Sequence, residues 1–121
     1  MRTRVVLVED DATVTSVIEI LLATEPDLEL VGTATSAEAG IELVRELSPD
    51  LLLLDNQLEG ALTGVAAAPA FKEAFPAVVV LLCTALDLAG VAADAADIDG
   101  YLRKDRLAEL PDVAKALLDG R

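Results

Sequence analysis

Histidine is absent from this chain, cysteine occurs once, and aromatic residues make up only 2% of it. Without histidine, every catalytic arrangement of a nucleophile with an imidazole base is excluded. The single cysteine, Cys83, permits no internal disulfide and no thiolate metal cluster, which fits a reducing compartment. Basic residues are scarce too: 9 lysines and arginines face 22 acids, for a formal net charge of −13. A surface of that sign repels phosphate backbones and anionic lipid, so direct binding of nucleic acid or membrane by this segment is not expected. It suits cations and basic partner patches instead. Long hydrophobic runs are missing as well. The longest, Ala77 to Leu86, is ten residues even with Thr84 admitted, against the roughly 20 needed to cross a bilayer. The first, Val5 to Val8, is stopped by Glu9, Asp10 and Asp11 and does not read as a secretory signal. A cytoplasmic protein is expected.

Aliphatic residues dominate what is present. Hydrophobic residues reach 54% of 121 positions, ample for one core built from Leu, Val, Ile and Ala, and the length suits a single domain over residues 1–121. Four leucines, Leu51 to Leu54, follow Pro49-Asp50 and end in Asp55, the pattern of a short strand buried on both faces. Val5 to Val8 and Val78 to Cys83 have the same character, Leu28 to Gly32 alternates like an edge strand, and Ile98 to Leu102 makes a short last one. Between them the spacing turns helical. Asp11 is placed to cap a first helix carrying Val14, Val17, Ile18, Leu21 and Leu22. Ser36 is placed to cap a second with Ala37, Ile41, Val44 and Leu47. A small-residue helix spans roughly Gly64 to Phe75, with Pro69 kinking it or delaying its start. An alanine-rich stretch, Leu86 to Ala96, is weakly patterned. The last helix carries Leu107, Leu110, Val113, Leu117 and Leu118, with Pro111 near its first turn. Five strands alternating with five helices predict right-handed crossovers and an α/β doubly wound parallel sheet.

The chemistry-bearing residues fall at the carboxyl ends of these strands: Glu9, Asp10 and Asp11 after the first, Asp55 after the third, Thr84 after the fourth and Lys104 after the fifth. In a sheet ordered 2-1-3-4-5, strands one and three flank the switch point where ligands bind. Carboxylates gathered there repel, so either some are protonated or a cation holds them, and an all-oxygen site with open positions suits Mg²⁺. An acid nucleophile, a hard cation, a lysine and a hydroxyl make up a phosphoryl-transfer constellation. Each residue alone has an ordinary explanation as a cap, a strand-end hydroxyl or a surface lysine. Their joint appearance outweighs those explanations.

Over nearly its whole length the sequence resembles the receiver domain of two-component response regulators. The segments that carry the resemblance are Val5 to Asp11, Pro49 to Asp55, Leu82-Cys83-Thr84-Ala85 and Gly100 to Lys104. It implies a flavodoxin-like (βα)5 sandwich and a phosphoryl group accepted on Asp55 from a histidine kinase. It implies that Glu9, Asp10, Asp55 and the main-chain carbonyl of Gln57 hold Mg²⁺, with Asp11 outside that set as a cap. It also implies that Thr84 and Lys104 contact the phosphoryl oxygens, and that Tyr101 is the switch aromatic, turning inward as Thr84 moves. Only slow self-phosphorylation and self-dephosphorylation are expected, so the domain is not an enzyme. A homodimer through the fourth helix, fifth strand and fifth helix is a possible partner arrangement. Lys104-Asp105 and the stretch Glu25 to Gly32 resemble the NarL/LuxR class, whose members usually carry a C-terminal DNA-binding output domain; these residues hold none, which leaves a stand-alone receiver or one cut from a longer transcription regulator. Three positions depart from the family's habit. Glu59 stands where proline is common, which predicts a less constrained loop, Thr63 stands where aspartate is common before Gly64, and Asp105 replaces the proline after the lysine. Two alternatives stand beside this reading. One is a phosphorylation-independent adaptor. The other is a haloacid dehalogenase-type Mg²⁺ phosphatase, disfavoured because Gln57 occupies the place of its second aspartate.

Overall fold

A computed structural model describes residues 2–120. Five strands, β1 (Thr3–Val8), β2 (Leu28–Ala34), β3 (Leu51–Leu54), β4 (Val79–Thr84) and β5 (Gly100–Arg103), form one parallel sheet in the order β2-β1-β3-β4-β5. Helices α1 (Ala12–Ala23), α2 (Ala37–Leu47), α3 (Gly64–Ala74), α4 (Ala89–Asp94) and α5 (Leu110–Asp119) connect and cover it, with a 3-10 turn over Lys104–Glu109 before the last.

The strand pleat divides the aliphatic residues into two cores, because successive side chains point to opposite faces. Val6, Val8, Leu52, Leu54, Val80 and Leu82 pack under α2 and α3 with the one fully buried phenylalanine, Phe71. Val5, Leu7, Leu51, Leu53, Leu81 and Cys83 pack under α1 and α5 against Ile18, Leu22, Leu110 and Ala114. All four leucines of β3 are buried completely, as a strand covered on both faces requires. With so few aromatics, helices come close to the sheet. A Cβ added at Gly40 would lie 2.5 Å from Val8 Cγ2, so α2 can lie this close only with glycine there.

Caps and stops fall largely where the residue types direct. The Asp11 carboxylate accepts the amides of Thr13 (2.8 Å) and Val14 (3.3 Å), and the Ser36 hydroxyl accepts that of Ala39 (3.2 Å). The edge position of β2 agrees with its alternating pattern, though the strand continues to Ala34. Three details differ from expectation. Val17 is 40% exposed rather than on the core face, and its neighbour Ile20 is 67% exposed. Pro69 does not delay the start of α3, which begins at Gly64 and runs on through the proline to Ala74. The weakly patterned alanine-rich stretch forms a small helix as expected, the six residues of α4. Leu107, expected on the last helix, belongs instead to the 3-10 turn, whereas Pro111 sits in the first turn of α5 as expected.

Strand register sets the site. Val8 lies opposite Leu54, and Leu54 opposite Leu82, so Glu9 and Asp55 leave the sheet side by side. Thr84 pairs with Arg103, which puts Lys104 one residue beyond the same edge.

Candidate functional site

Main-chain hydrogen bonds carry the first two acids outward together. The Glu9 amide donates to Ala34 O at 2.9 Å and the Asp55 amide to Val8 O at 3.0 Å. Both side chains are buried, each residue only 3% exposed, while Asp10 faces solvent. Glu9, Asp10 and Asp55 each offer a carboxylate oxygen, and the three lie within 4.8 Å of one another. Lys104 reaches into this cluster from the β5 exit. Its Nζ lies 2.7 Å from Glu9 Oε1 and 3.1 Å from Asp55 Oδ2, on a side chain 17% exposed.

The electrostatics follow from that crowding. Burial is the largest influence on Glu9 and pushes its carboxyl up to about 7, with the Asp55 charge adding to the rise; hydrogen bonds from Lys104 and the Asp11 amide pull the other way. For Lys104, burial opposes the ammonium, but hydrogen bonds to Glu9 and Asp55 outweigh it and raise its pKa. One ammonium is thus shared between two buried carboxylates, with a third acid at the rim. Three hard oxygen donors around a spot short of positive charge fit a divalent cation that keeps part of its water shell.

Asp55 is held at both oxygens: Oδ1 accepts the Asn56 amide at 2.8 Å and Oδ2 faces Lys104. Asn56 anchors the loop that follows. Its carbonyl accepts the Gly64 amide and its side-chain Oδ1 the Val65 amide, both at 3.0 Å. Gly64 itself is compelled by contact, since a Cβ there would meet Asp55 O at 2.1 Å. A glycine in this polar loop was legible in the sequence as a turn or close-approach position, whereas the role of Asn56 was not, an asparagine next to the acid being its one available signal. Thr63, where aspartate is common, still caps α3 by accepting the Ala66 amide at 3.2 Å. Gln57 is exposed in the same loop. The expectation that Glu59 leaves that loop less constrained is corrected: its amide donates to Thr35 O, and Glu59 forms a parallel bridge with Ser36.

Thr84 and Tyr101 lie on the α4 side. Thr84 is fully buried, and its Oγ1 accepts the Leu86 amide at 3.4 Å. The Tyr101 ring is half-buried against the α2/α3/α4 core, and its hydroxyl donates to Leu86 O (2.9 Å) while accepting the Leu88 amide (3.2 Å). Both residues thus grip one loop, at Leu86. On the opposite side an open hollow of about 310 Å³, bordered by Glu9, Asp10, Thr15, Ser16, Thr33 and Thr35, leads to the acidic cluster. Glu9, Asp10, Asp55 and Lys104 thus gather at the carboxyl ends of their strands, Thr84 ends β4 at the same edge, Tyr101 sits within β5 on the α4 side, and Gln57 lies in the loop after Asp55.

Comparison with known proteins assigns this fold to a family. Residues 5–115 match the response regulator receiver domain, and the chain belongs to that family. Response regulator protein VraR of Staphylococcus aureus is 34% identical over 119 residues, covering 97% of this chain and 56% of that protein. A protein-glutamate methylesterase/protein-glutamine glutaminase of Methanosarcina mazei is 37% identical over 79 residues, 65% of this chain and 21% of the relative. Among solved structures, a LuxR-family two-component response regulator from Aurantimonas sp. SI85-9A1 superposes with a TM-score of 0.90 at 28% identity, covering 100% of this chain and 88% of that one. The chain spans about half the length of VraR and about a fifth of the methylesterase. As a receiver domain it falls in a class that is generally not enzymatic, and the match leaves no support for the dehalogenase-type alternative.

Proposed function

We propose that Asp55 is the phosphoacceptor of a Mg²⁺-dependent phosphorelay switch, phosphorylated by a histidine kinase in the cytoplasm. The observation that carries this reading is the meeting of Glu9, Asp10 and Asp55 within 4.8 Å, with Lys104 on the two buried members. A carboxylate oxygen of Asp55 attacks the phosphorus of a phosphohistidine. The P–O bond forms as the P–N bond breaks, and the departing imidazole nitrogen takes up a proton. Water later cleaves the acyl phosphate, returning the carboxylate and inorganic phosphate. Glu9 and Asp10, with Asp55 and the Gln57 carbonyl, would hold the cation; the chemistry that Mg²⁺ would supply there is neutralisation of the phosphoryl oxygens. Lys104 supplies a second positive point to those oxygens.

Phosphorylation adds about −1.5 to −2 charge and three acceptor oxygens. Lys104 is then drawn from Glu9 towards the phosphoryl group, and the Thr84 hydroxyl turns from Leu86 to donate to it. Tyr101 shares the Leu86 loop with Thr84, so this movement reaches α4, β5 and α5. That surface, with Leu86 and Val91 exposed, is the proposed output and homodimer face. The exposed Val17 and Ile20 on α1, the helix that begins beside the acidic pair, support docking of an apolar kinase face there. The charge of −13 supports output through protein contacts rather than through nucleic acid held by this domain, with transcription control by an output domain outside these residues. Among the described residues no helix is long and apolar enough to cross a membrane. Incubation with acetyl phosphate and Mg²⁺ tests the reading: one phosphoryl group is gained, stable in acid and lost in base. A gain that persists in chelator, or in D55N, refutes it.

A further inference from the structure

Gln57 is exposed, so a cation ligand at its main-chain carbonyl needs its segment held by something other than burial. The β2 exit does this. The carbonyl of Ala34 accepts the Glu9 amide at 2.9 Å, and the next carbonyl, that of Thr35, accepts the Glu59 amide at 3.2 Å. The Thr35 hydroxyl also donates to Glu59 Oε2 at 3.2 Å. Two consecutive carbonyls thus hold the two sides of one cradle: Ala34 the acidic pair, Thr35 the segment two residues past Gln57. Directly after this pairing the chain turns at Gly60, with φ of 88°, and Glu38 Oε2 lies 3.2 Å from where a Cβ on Gly60 would be. The first turn of α2 therefore backs the bend.

We infer that Glu59 is a positioning residue for the cation site, clamping the Gln57 loop to Thr35 by hydrogen bonds. A proline at 59 has no amide hydrogen to donate to Thr35. Loop rigidity by a proline ring and rigidity by this clamp are therefore mutually exclusive, and the chain uses the second. The inference rests on the proposed role of Gln57 in holding Mg²⁺.

Calorimetric titration of Mg²⁺ into the full chain separates the two. E59P loses both bonds and weakens Mg²⁺ binding about 10-fold, in the range found when groups that orient metal ligands are removed. E59A and T35V lose only the exposed side-chain bond and weaken it about 2-fold. E59Q keeps the acceptor and binds as wild type. Saturating Mg²⁺ restores phosphorylation of E59P by acetyl phosphate, because Asp55 itself is undisturbed. An E59P chain that folds and binds Mg²⁺ like wild type overturns the clamp. If E59P does not fold, E59A and T35V decide, and wild-type affinity in both overturns it. A wild-type chain that takes up no Mg²⁺ refutes the cation reading itself, whereas normal wild-type binding with unaltered variants refutes the clamp alone.

Discussion

Replacing Gly64 by alanine inserts one methyl group into the closest backbone approach at the site. The added carbon would lie 2.1 Å from Asp55 O and 2.9 Å from Asp55 C, where contacts below 3.0 Å do not occur. Neither partner is the free end of a flexible side chain, so main chain must yield by about 1 Å, the gap between 2.1 Å and the 3.0 Å limit. The strand side is fixed by Asp55 N to Val8 O and the helix side by Gly64 N to Asn56 O, so the strain is shared across the site. Overpacking of this kind costs roughly 3 kcal/mol, less than the 5–15 kcal/mol typical of whole-domain stability, so G64A folds. The larger effect is on chemistry. A displacement of about 1 Å in a reacting group costs on the order of 100-fold in rate. Urea denaturation followed by circular dichroism reads the first quantity, and the rate of phosphoryl uptake from acetyl phosphate the second. A G64A chain within about 0.5 kcal/mol of wild type that is phosphorylated at the wild-type rate refutes this account of the β3–α3 junction.

Other variants test separate parts of the site. K104M removes the ammonium shared by Glu9 and Asp55; leaving buried carboxylates unpaired costs about 3 kcal/mol, and Mg²⁺ recovers more stability in K104M than in wild type by thermal denaturation. An equal Mg²⁺ response in the two proteins argues against a shared site. Y101F deletes the hydroxyl between Leu86 O and Leu88 N; the expected loss is about 1 kcal/mol, with faster hydrogen exchange at the Leu88 amide. Unchanged exchange there dissociates Tyr101 from the loop. Burial pushes the Cys83 thiol up to about 12, so it stays protonated through the ordinary pH range. Alkylation by iodoacetamide at pH 8 should proceed only as fast as the protein opens, and rapid labelling of the native chain contradicts the buried placement.

The strand ends were legible because β3, β4 and β1 are continuous aliphatic runs that stop at polar residues, and parallel topology brings such stops to one edge. Asp55, Glu9 and Lys104 could therefore be grouped before any contact was known. Periodicity could not show the 2.1 Å approach at Gly64, because it depends on how α3 enters against a loop joined to β3. Helical spacing placed Val17 with Ile18 on one face, yet the sheet covers only the arc holding Ile18 and Leu22. Glu59 read as a lost constraint since its neighbour Thr35 lies 24 positions away, a distance no local pattern spans. The departure at Thr63 had a local answer, because threonine caps a helix much as aspartate does.

The central claim is that one carboxylate, Asp55, receives the phosphoryl group. Borohydride reduction of the phosphorylated chain converts an aspartyl phosphate to homoserine, and tandem mass spectrometry then locates it. The account predicts homoserine at position 55 alone, dependent on Mg²⁺. Homoserine at position 10 or 11, or an intact Asp55 in a chain that has gained phosphate, contradicts it.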